Sequence, residues 1–257
     1  MTTRKKEFST GSMVLIGLFA ALCYVALFFK IPIPSPVGKP FLHMGNMFVI
    51  LAALLFSGTI GGLSGSIGMG LFDLMNGYAS SVPKTVLLKF GIGVIVGGVS
   101  SKGNKDDAKS PIKWIAIASS LLIVIGIALF AVSATFGNEV AVSGIEKKLV
   151  INPVLYILSL ILGVALGAIC IVSKNLSVKL QYAILGAVAG IAFNLIGEFL
   201  FGVVTLLLAG SSFIPAVLSS AVSLPATLIN GSFSIFVAVA LYIPLSKSVL
   251  KSKFNLS

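Results

Sequence analysis

Three ionisable side chains, those of Asp73, Lys89 and Glu198, lie inside long apolar runs of this 257-residue sequence. An ionised side chain near the centre of a lipid bilayer costs about 3 kcal/mol unless it is paired or hydrated. Groups in such positions therefore typically bind a polar ligand or carry an ion or a proton. We take these three residues as candidate ligand contacts, and the alternative is that Asp73 and Lys89 simply pair with each other.

The composition indicates that the apolar runs lie in a membrane. Hydrophobic residues make up 57% of the chain and charged residues 10%, and the mean hydropathy is +1.12. Such a chain has too few polar side chains to cover a water-soluble globule. A disordered chain, a disulfide scaffold and a soluble enzyme are excluded, because each needs high charge or many cysteines. We therefore predict an all-α integral membrane protein in which residues 1–257 form a single membrane domain.

Eight apolar runs approach the length of about 20 residues that a membrane-spanning helix needs. The predicted helices cover residues 13–29, 44–56, 59–76, 85–99, 115–136, 153–172, 180–208 and about 217–245. An even number of helices places both termini on the same side. Twelve of the 18 Lys and Arg residues then fall on that side, which the positive-inside rule identifies as the cytoplasm. These loops account for the net charge of +11, and we expect no nucleic-acid partner.

With the amino terminus inside, Asp73 lies about one turn before the outer end of the third helix, and Lys89 about one turn after the outer start of the fourth. Asn194 and Glu198 share a face of the seventh helix, because they are four residues apart. The polar groups thus gather in the outer leaflet. The predicted substrate-binding residues are His43, Asp73, Asn76, Tyr78, Lys89, Asn194, Glu198 and Asn230.

The inner half of the predicted bundle is almost entirely apolar. A channel would need polar residues along its whole depth, and a proton-coupled carrier usually has its charge near the midplane with access from both sides. The asymmetry instead indicates a pocket that is open to the outside and closed below. A self-sufficient, ion-coupled secondary transporter of a small polar solute remains the alternative.

The run Gly62-Leu63-Ser64-Gly65 has the form GxSG, which could mark an intramembrane serine protease if a histidine met Ser64. The single histidine, His43, precedes this run at the edge of an outer loop, and a four-residue match is common in a glycine-rich stretch. The sequence contains no HExxH, CxxC or Walker A motif. We therefore predict no enzyme activity, no metal site and no cofactor, and any ATP must be bound by another subunit.

Several short motifs resemble, in their order and spacing, the S components of energy-coupling factor (ECF) transporters. They are Phe41-Leu42-His43-Met44-Gly45-Asn46, Leu71-Phe72-Asp73, Gly77-Tyr78, Thr85, Lys89 and Gly97-Gly98, followed by Leu224-Pro225-Ala226-Thr227-Leu228-Ile229-Asn230-Gly231 and Leu241-Tyr242-Ile243-Pro244-Leu245. The resemblance covers residues 10–100 and 180–247. It implies a six-helix core with two additional transmembrane helices after helix four, so that residues 101–179 form an inserted helical hairpin with a cytoplasmic loop.

The resemblance also implies a function. The chain would capture a vitamin or related small micronutrient from outside a prokaryotic cell, within the plasma membrane, for ATP-driven uptake. Its partners would be a membrane-embedded coupling (T) subunit and two ATPase subunits. The docking face would be the patch of small residues on helix one, formed by Gly17, Ala20 and Ala21. Packing inside the chain is the alternative for this patch, and the identity of the substrate is left open.

Overall fold

The structure of the protein, a computed structural model, describes residues 9–32, 41–137, 139–140, 149–150, 153–172, 175–222 and 224–251. These residues form nine α-helices and two short antiparallel pairs of strands. The helices are α1 (Thr10–Ala26), α2 (Gly45–Leu55), α3 (Gly58–Met75), α4 (Val82–Ser100), α5 (Ile112–Phe136), α6 (Pro153–Val172), α7 (Val178–Leu208), α8 (Phe213–Val222) and α9 (Leu224–Lys251). Strand β1 (Ile31–Pro32) pairs with β2 (Phe41–Leu42), and β3 (Glu139–Val140) pairs with β4 (Leu149–Val150).

The all-α membrane fold is confirmed. Among the described residues, four helical stretches are long and apolar enough to cross a membrane: Ala79–Asn104, Ile112–Thr135, Val178–Leu208 and Phe213–Lys247. The first seven predicted helices correspond to α1 to α7. The eighth was predicted as one continuous helix and corresponds instead to α8 and α9. Pro225 is the second residue of α9, where its missing N–H leaves no intrahelical hydrogen bond unmade.

Serine residues form the N-caps of three of the helices. The hydroxyl oxygens of Ser9, Ser57 and Ser177 accept hydrogen bonds from the backbone N–H groups three residues further on, over 3.2 to 3.3 Å. Each bond satisfies a backbone donor that has no partner within its own helix. The start points of α1, α3 and α7 are therefore encoded locally.

Glycines allow α3 to pack directly against the backbones of its neighbours. A Cβ atom at Gly61 would collide with the backbone of α2, one at Gly62 with the backbone of α4, and one at Gly68 with the carbonyl group of Ala20 on α1. Small residues allow this close approach, which is the main way in which membrane helices associate. Helix α3 therefore lies between α1, α2 and α4 with little space on any of these sides.

The same packing corrects the predicted patch on helix one. Ala20 is 6% exposed and packs on Gly68 of α3, so it is part of the internal seam. Gly17 and Ala21, four residues apart, lie on the exposed side of α1. The three small residues therefore do not form one accessible face, and only Gly17 and Ala21 remain available to a partner.

Helices α5 and α6 pack mainly against each other, with Gly163 of α6 lying against Ile123 of α5. The Ser119 hydroxyl donates a hydrogen bond to the Gly163 carbonyl oxygen over 2.7 Å. Helix α7 packs directly on α4, where Gly186 lies against the carbonyl of Val96. The two helices also reach the rest of the bundle, because Ile115 of α5 and Leu166 of α6 share a buried cluster with Ile184 of α7. That residues 101–179 are an insertion stays a prediction.

Candidate functional site

A cavity of about 370 Å³ lies among the ends and inner faces of the core helices. Its walls come from the end of α1, the start of α2, and helices α3, α4, α7 and α9. The lining residues are Leu27, His43, Asn46, Met69, Asp73, Tyr78, Ser81, Lys84, Thr85, Lys89, Asn194, Glu198, Gly202, Ala226, Thr227 and Asn230. None of the described residues of α5 and α6 lines the cavity.

Helical spacing explains how these side chains come together. Residues four apart lie on one face of a helix, and four helices present such a series to the cavity. The series are Met69 and Asp73 on α3, Thr85 and Lys89 on α4, Asn194, Glu198 and Gly202 on α7, and Ala226 and Asn230 on α9.

Seven of the eight predicted substrate-binding residues line this cavity, and Asn76 does not. Its side-chain amide donates a hydrogen bond to the carbonyl oxygen of Phe72 over 2.9 Å. Asn76 follows the last residue of α3, and its backbone N–H also bonds to Phe72. This asparagine therefore caps the end of α3.

Lys89 is buried, with 4% of its surface exposed. Its ammonium group donates a hydrogen bond to Oδ1 of Asn194, which is itself 2% exposed, over 2.9 Å. Asp73 has a different partner, because its Oδ2 accepts a hydrogen bond from the Thr85 hydroxyl over 2.5 Å. Within the described ranges no ion pair joins Asp73 and Lys89. The alternative in which these two residues simply pair is therefore wrong.

A second polar contact joins α4 to α7. The ammonium group of Lys84 and Oε2 of Glu198 form an ion pair over 2.8 Å, with side chains that are 31% and 22% exposed. The sequence placed Lys84 in a loop, because the fourth helix was predicted to begin at residue 85. In the structure α4 begins at Val82, and Pro83 lies in its first turn, where proline is well tolerated. Pro83 is therefore the feature of the sequence from which the earlier start of α4 could have been predicted.

His43 connects the segment before α2 to α9. Its backbone N–H donates to Oδ1 of Asn230 over 3.4 Å, and its ring Nδ1 accepts a hydrogen bond from the Gly45 N–H over 3.1 Å. Burial, and to a lesser extent the positive charge of Lys89, lowers the pKa of the His43 imidazole to about 3. The ring is therefore neutral near pH 7, with its proton on Nε2.

Ser64 does not have the environment of a protease nucleophile. It is fully buried, and its hydroxyl donates to the carbonyl oxygen of Ile16 over 3.2 Å, while His43 lines the cavity and is bonded to Gly45. A nucleophilic serine needs a base within hydrogen-bonding distance. Within the part of the chain that the structure describes, no group of three or more His, Cys, Asp or Glu side chains could hold a metal ion.

Sequence reasoning also missed several uncharged lining residues. Asn46, Ser81, Thr85 and Thr227 lie in or beside apolar runs and carry no charge, so their types alone gave no reason to single them out as ligand contacts. Thr85 could have been found from Lys89, because it lies four residues before it on the same face of α4.

Comparison with known proteins identifies the family. A sequence model of the family described as "ECF-type riboflavin transporter, S component" matches residues 7–156, which is more than half of the chain. The match covers the lining residues from Leu27 to Lys89 and continues through α5, which we predicted to be part of an insertion. Helices α7 and α9 lie beyond it.

An "Uncharacterized protein in gap 3'region" from Pyrococcus woesei is 36% identical to this chain over 80 residues. That stretch is 31% of this chain and 52% of the relative, so the chain spans about half the length of this curated relative. No solved structure was found to match the chain. The family match extends over more than half of the sequence, and the chain therefore belongs to the family of S components of ECF-type riboflavin transporters.

Proposed function

We propose that this chain captures a water-soluble vitamin in the cavity between α2, α3, α4, α7 and α9, and that riboflavin is the first candidate. As a member of its family, the chain is a substrate-binding subunit of a transporter and not an enzyme. The proposal adds the identity of the ligand and the location of its site.

The observation that carries the proposal is the arrangement of charge in the cavity. Two basic residues, Lys84 and Lys89, face two acidic residues, Asp73 and Glu198, so the formal charges cancel. Ionised side chains are energetically costly inside a membrane helix bundle, and where they occur they typically bind a polar ligand. A ligand that matches balanced charge is itself uncharged and rich in hydrogen-bonding groups, as riboflavin is.

The size and the mixed lining of the cavity also suit a small organic molecule. Binding pockets for such molecules have volumes of about 300 to 1,000 Å³ and combine apolar walls with a few polar groups. Here Leu27, Met69 and Ala226 supply apolar surface, and Tyr78 supplies an aromatic ring. This combination suits a flat heterocycle better than a bare inorganic ion.

We further propose that the chain lies in the plasma membrane with both termini in the cytoplasm, and that it acts with a coupling (T) subunit and two ATPase subunits. The exposed side of α1 supports a docking role, because a Cβ atom added at Gly17 would meet no atom within 4 Å. Val14 and Leu18, on the same helix, are also more than half exposed.

The test uses the full chain, purified in detergent and reconstituted into vesicles. We expect riboflavin to bind the purified chain with quenching of flavin fluorescence, and we expect no net uptake until coupling subunits and ATP are supplied. Uptake driven by an ion gradient in vesicles that contain this chain alone would identify a secondary transporter instead. Absence of riboflavin binding, with another molecule retained in native mass spectrometry, would reject riboflavin as the ligand.

A further inference from the structure

Asn46 has a buried acceptor without a partner. It is the second residue of α2, its side chain is 3% exposed, and it lines the cavity. Its amide oxygen Oδ1 has no hydrogen-bond partner among the residues that the structure describes. Most buried polar atoms in folded proteins do have a partner, so each exception calls for a physical reason.

The other two asparagines of the cavity differ in this respect. Oδ1 of Asn194 accepts a hydrogen bond from Lys89, and Oδ1 of Asn230 accepts one from the backbone of His43. Their carbonyl groups are therefore used to hold the protein together. A leucine at position 46 would fill a similar volume without leaving an acceptor unsatisfied, so packing alone does not account for an asparagine there.

A donor from a bound molecule would satisfy this oxygen. An amide oxygen only accepts hydrogen bonds, so the ligand must offer it an N–H or an O–H group. Lys89 offers the complementary function, because its ammonium group has three donors and Asn194 takes one of them. The cavity thus combines a buried acceptor on α2 with a buried donor on α4.

These two groups lie on neighbouring helices. Helices α2 and α4 are in contact, and both approach Gly65 of α3. On α2 the contact is made by Val49, which is three residues after Asn46, and on α4 it is made by the Cβ atom of Lys89. A ligand edge that carries a donor beside an acceptor would satisfy both groups together.

We propose that Oδ1 of Asn46 accepts a hydrogen bond from the ring N–H of a lactam or imide ligand, and that this contact selects the ligand. In such a ring the N–H lies beside a carbonyl group, which can accept from Lys89. The inference rests on the proposed function and adds a specificity-determining residue to it. Riboflavin belongs to this class, since its N3–H lies between two carbonyl groups.

The test compares riboflavin with 3-methylriboflavin, in which a methyl group replaces the N3 hydrogen. We expect the wild-type chain to bind the methylated compound at least about tenfold more weakly. In Asn46→Leu the affinity for riboflavin should fall by about tenfold, and the two compounds should bind equally. The variant Asn46→Asp keeps an acceptor oxygen and should keep a preference for riboflavin.

A thermal melt without ligand separates this role from a structural one. Because no described residue bonds to the Asn46 oxygen, Asn46→Leu without added ligand should melt at the same or a higher temperature than the wild type. Asn76→Leu is the matched control, because Asn76 lies outside the cavity, and it should leave riboflavin affinity unchanged.

Three outcomes would overturn the inference. One is equal binding of the two flavins by the wild-type chain, and another is unchanged riboflavin affinity in Asn46→Leu. The third is a lower melting temperature of Asn46→Leu together with equal binding of both flavins by Asn46→Asp. Each of these leaves riboflavin capture itself intact. Failure of the wild-type chain to bind either flavin would reject the proposed ligand and this inference together.

Discussion

Replacing Lys89 with methionine tests the central contact of the proposed site. Methionine keeps most of the length of the side chain and removes its donors. A hydrogen bond to a charged group contributes about 1.5 to 3 kcal/mol, so Lys89→Met should weaken riboflavin binding by roughly 10- to 100-fold. The melting temperature of the empty protein should not fall much, because removal of a buried charge offsets the donor that Asn194 loses.

Lys84→Met is the matched control for this experiment. Lys84 is also on α4 and also bonds to α7, but its pair with Glu198 is partly exposed. Because its ammonium group already pairs with Glu198 and is partly hydrated, Lys84 has less to offer a ligand, and its loss should weaken riboflavin binding clearly less than the loss of Lys89 does. Both affinities are measured by fluorescence titration in the same detergent. Equal losses in the two variants, or no loss in Lys89→Met, would refute the argument from burial.

Three further experiments test the packing, the histidine and the docking face. Gly68→Ala should lower the melting temperature, because its Cβ would collide with the Ala20 carbonyl, whereas Gly98→Ala, with open space around it, should not. The pKa of His43 is about 3 when folded and near 6.5 when unfolded. The unfolded chain therefore takes up the proton first, and the melting temperature should fall between pH 6.5 and pH 3 by more in the wild type than in His43→Gln. Gly17→Leu should reduce co-purification with the coupling subunits and leave riboflavin affinity unchanged, and unimpaired assembly would contradict a docking role for this face.

The family and the general position of the site could be predicted because they depend on local pattern. Asn194 and Glu198 are four residues apart on a helix, so their shared face followed from helical geometry alone. The membrane fold followed from the length and apolar character of the runs. The family prediction, made from the order of short motifs, is confirmed by the match over residues 7–156.

What could not be predicted depends on contacts between distant parts of the chain. Asp73 and Lys89 have the right depth to pair, yet Thr85 and Asn194 are closer partners, and only the packing of α3, α4 and α7 decides between these possibilities. The place of Asn46 in the cavity wall was equally hidden, since only tertiary packing decides which side of α2 faces the cavity.

The six glycines among the 18 residues of α3 have a consequence for affinity. Where α3 meets α1, α2 and α4 backbone to backbone there are few rotamers to freeze, so this part of the bundle is already ordered before a ligand arrives. Immobilising a flexible side chain on binding costs about 0.5 to 1.5 kcal/mol. We therefore expect this part of the bundle to be preorganised, so that ligand binding loses little entropy there.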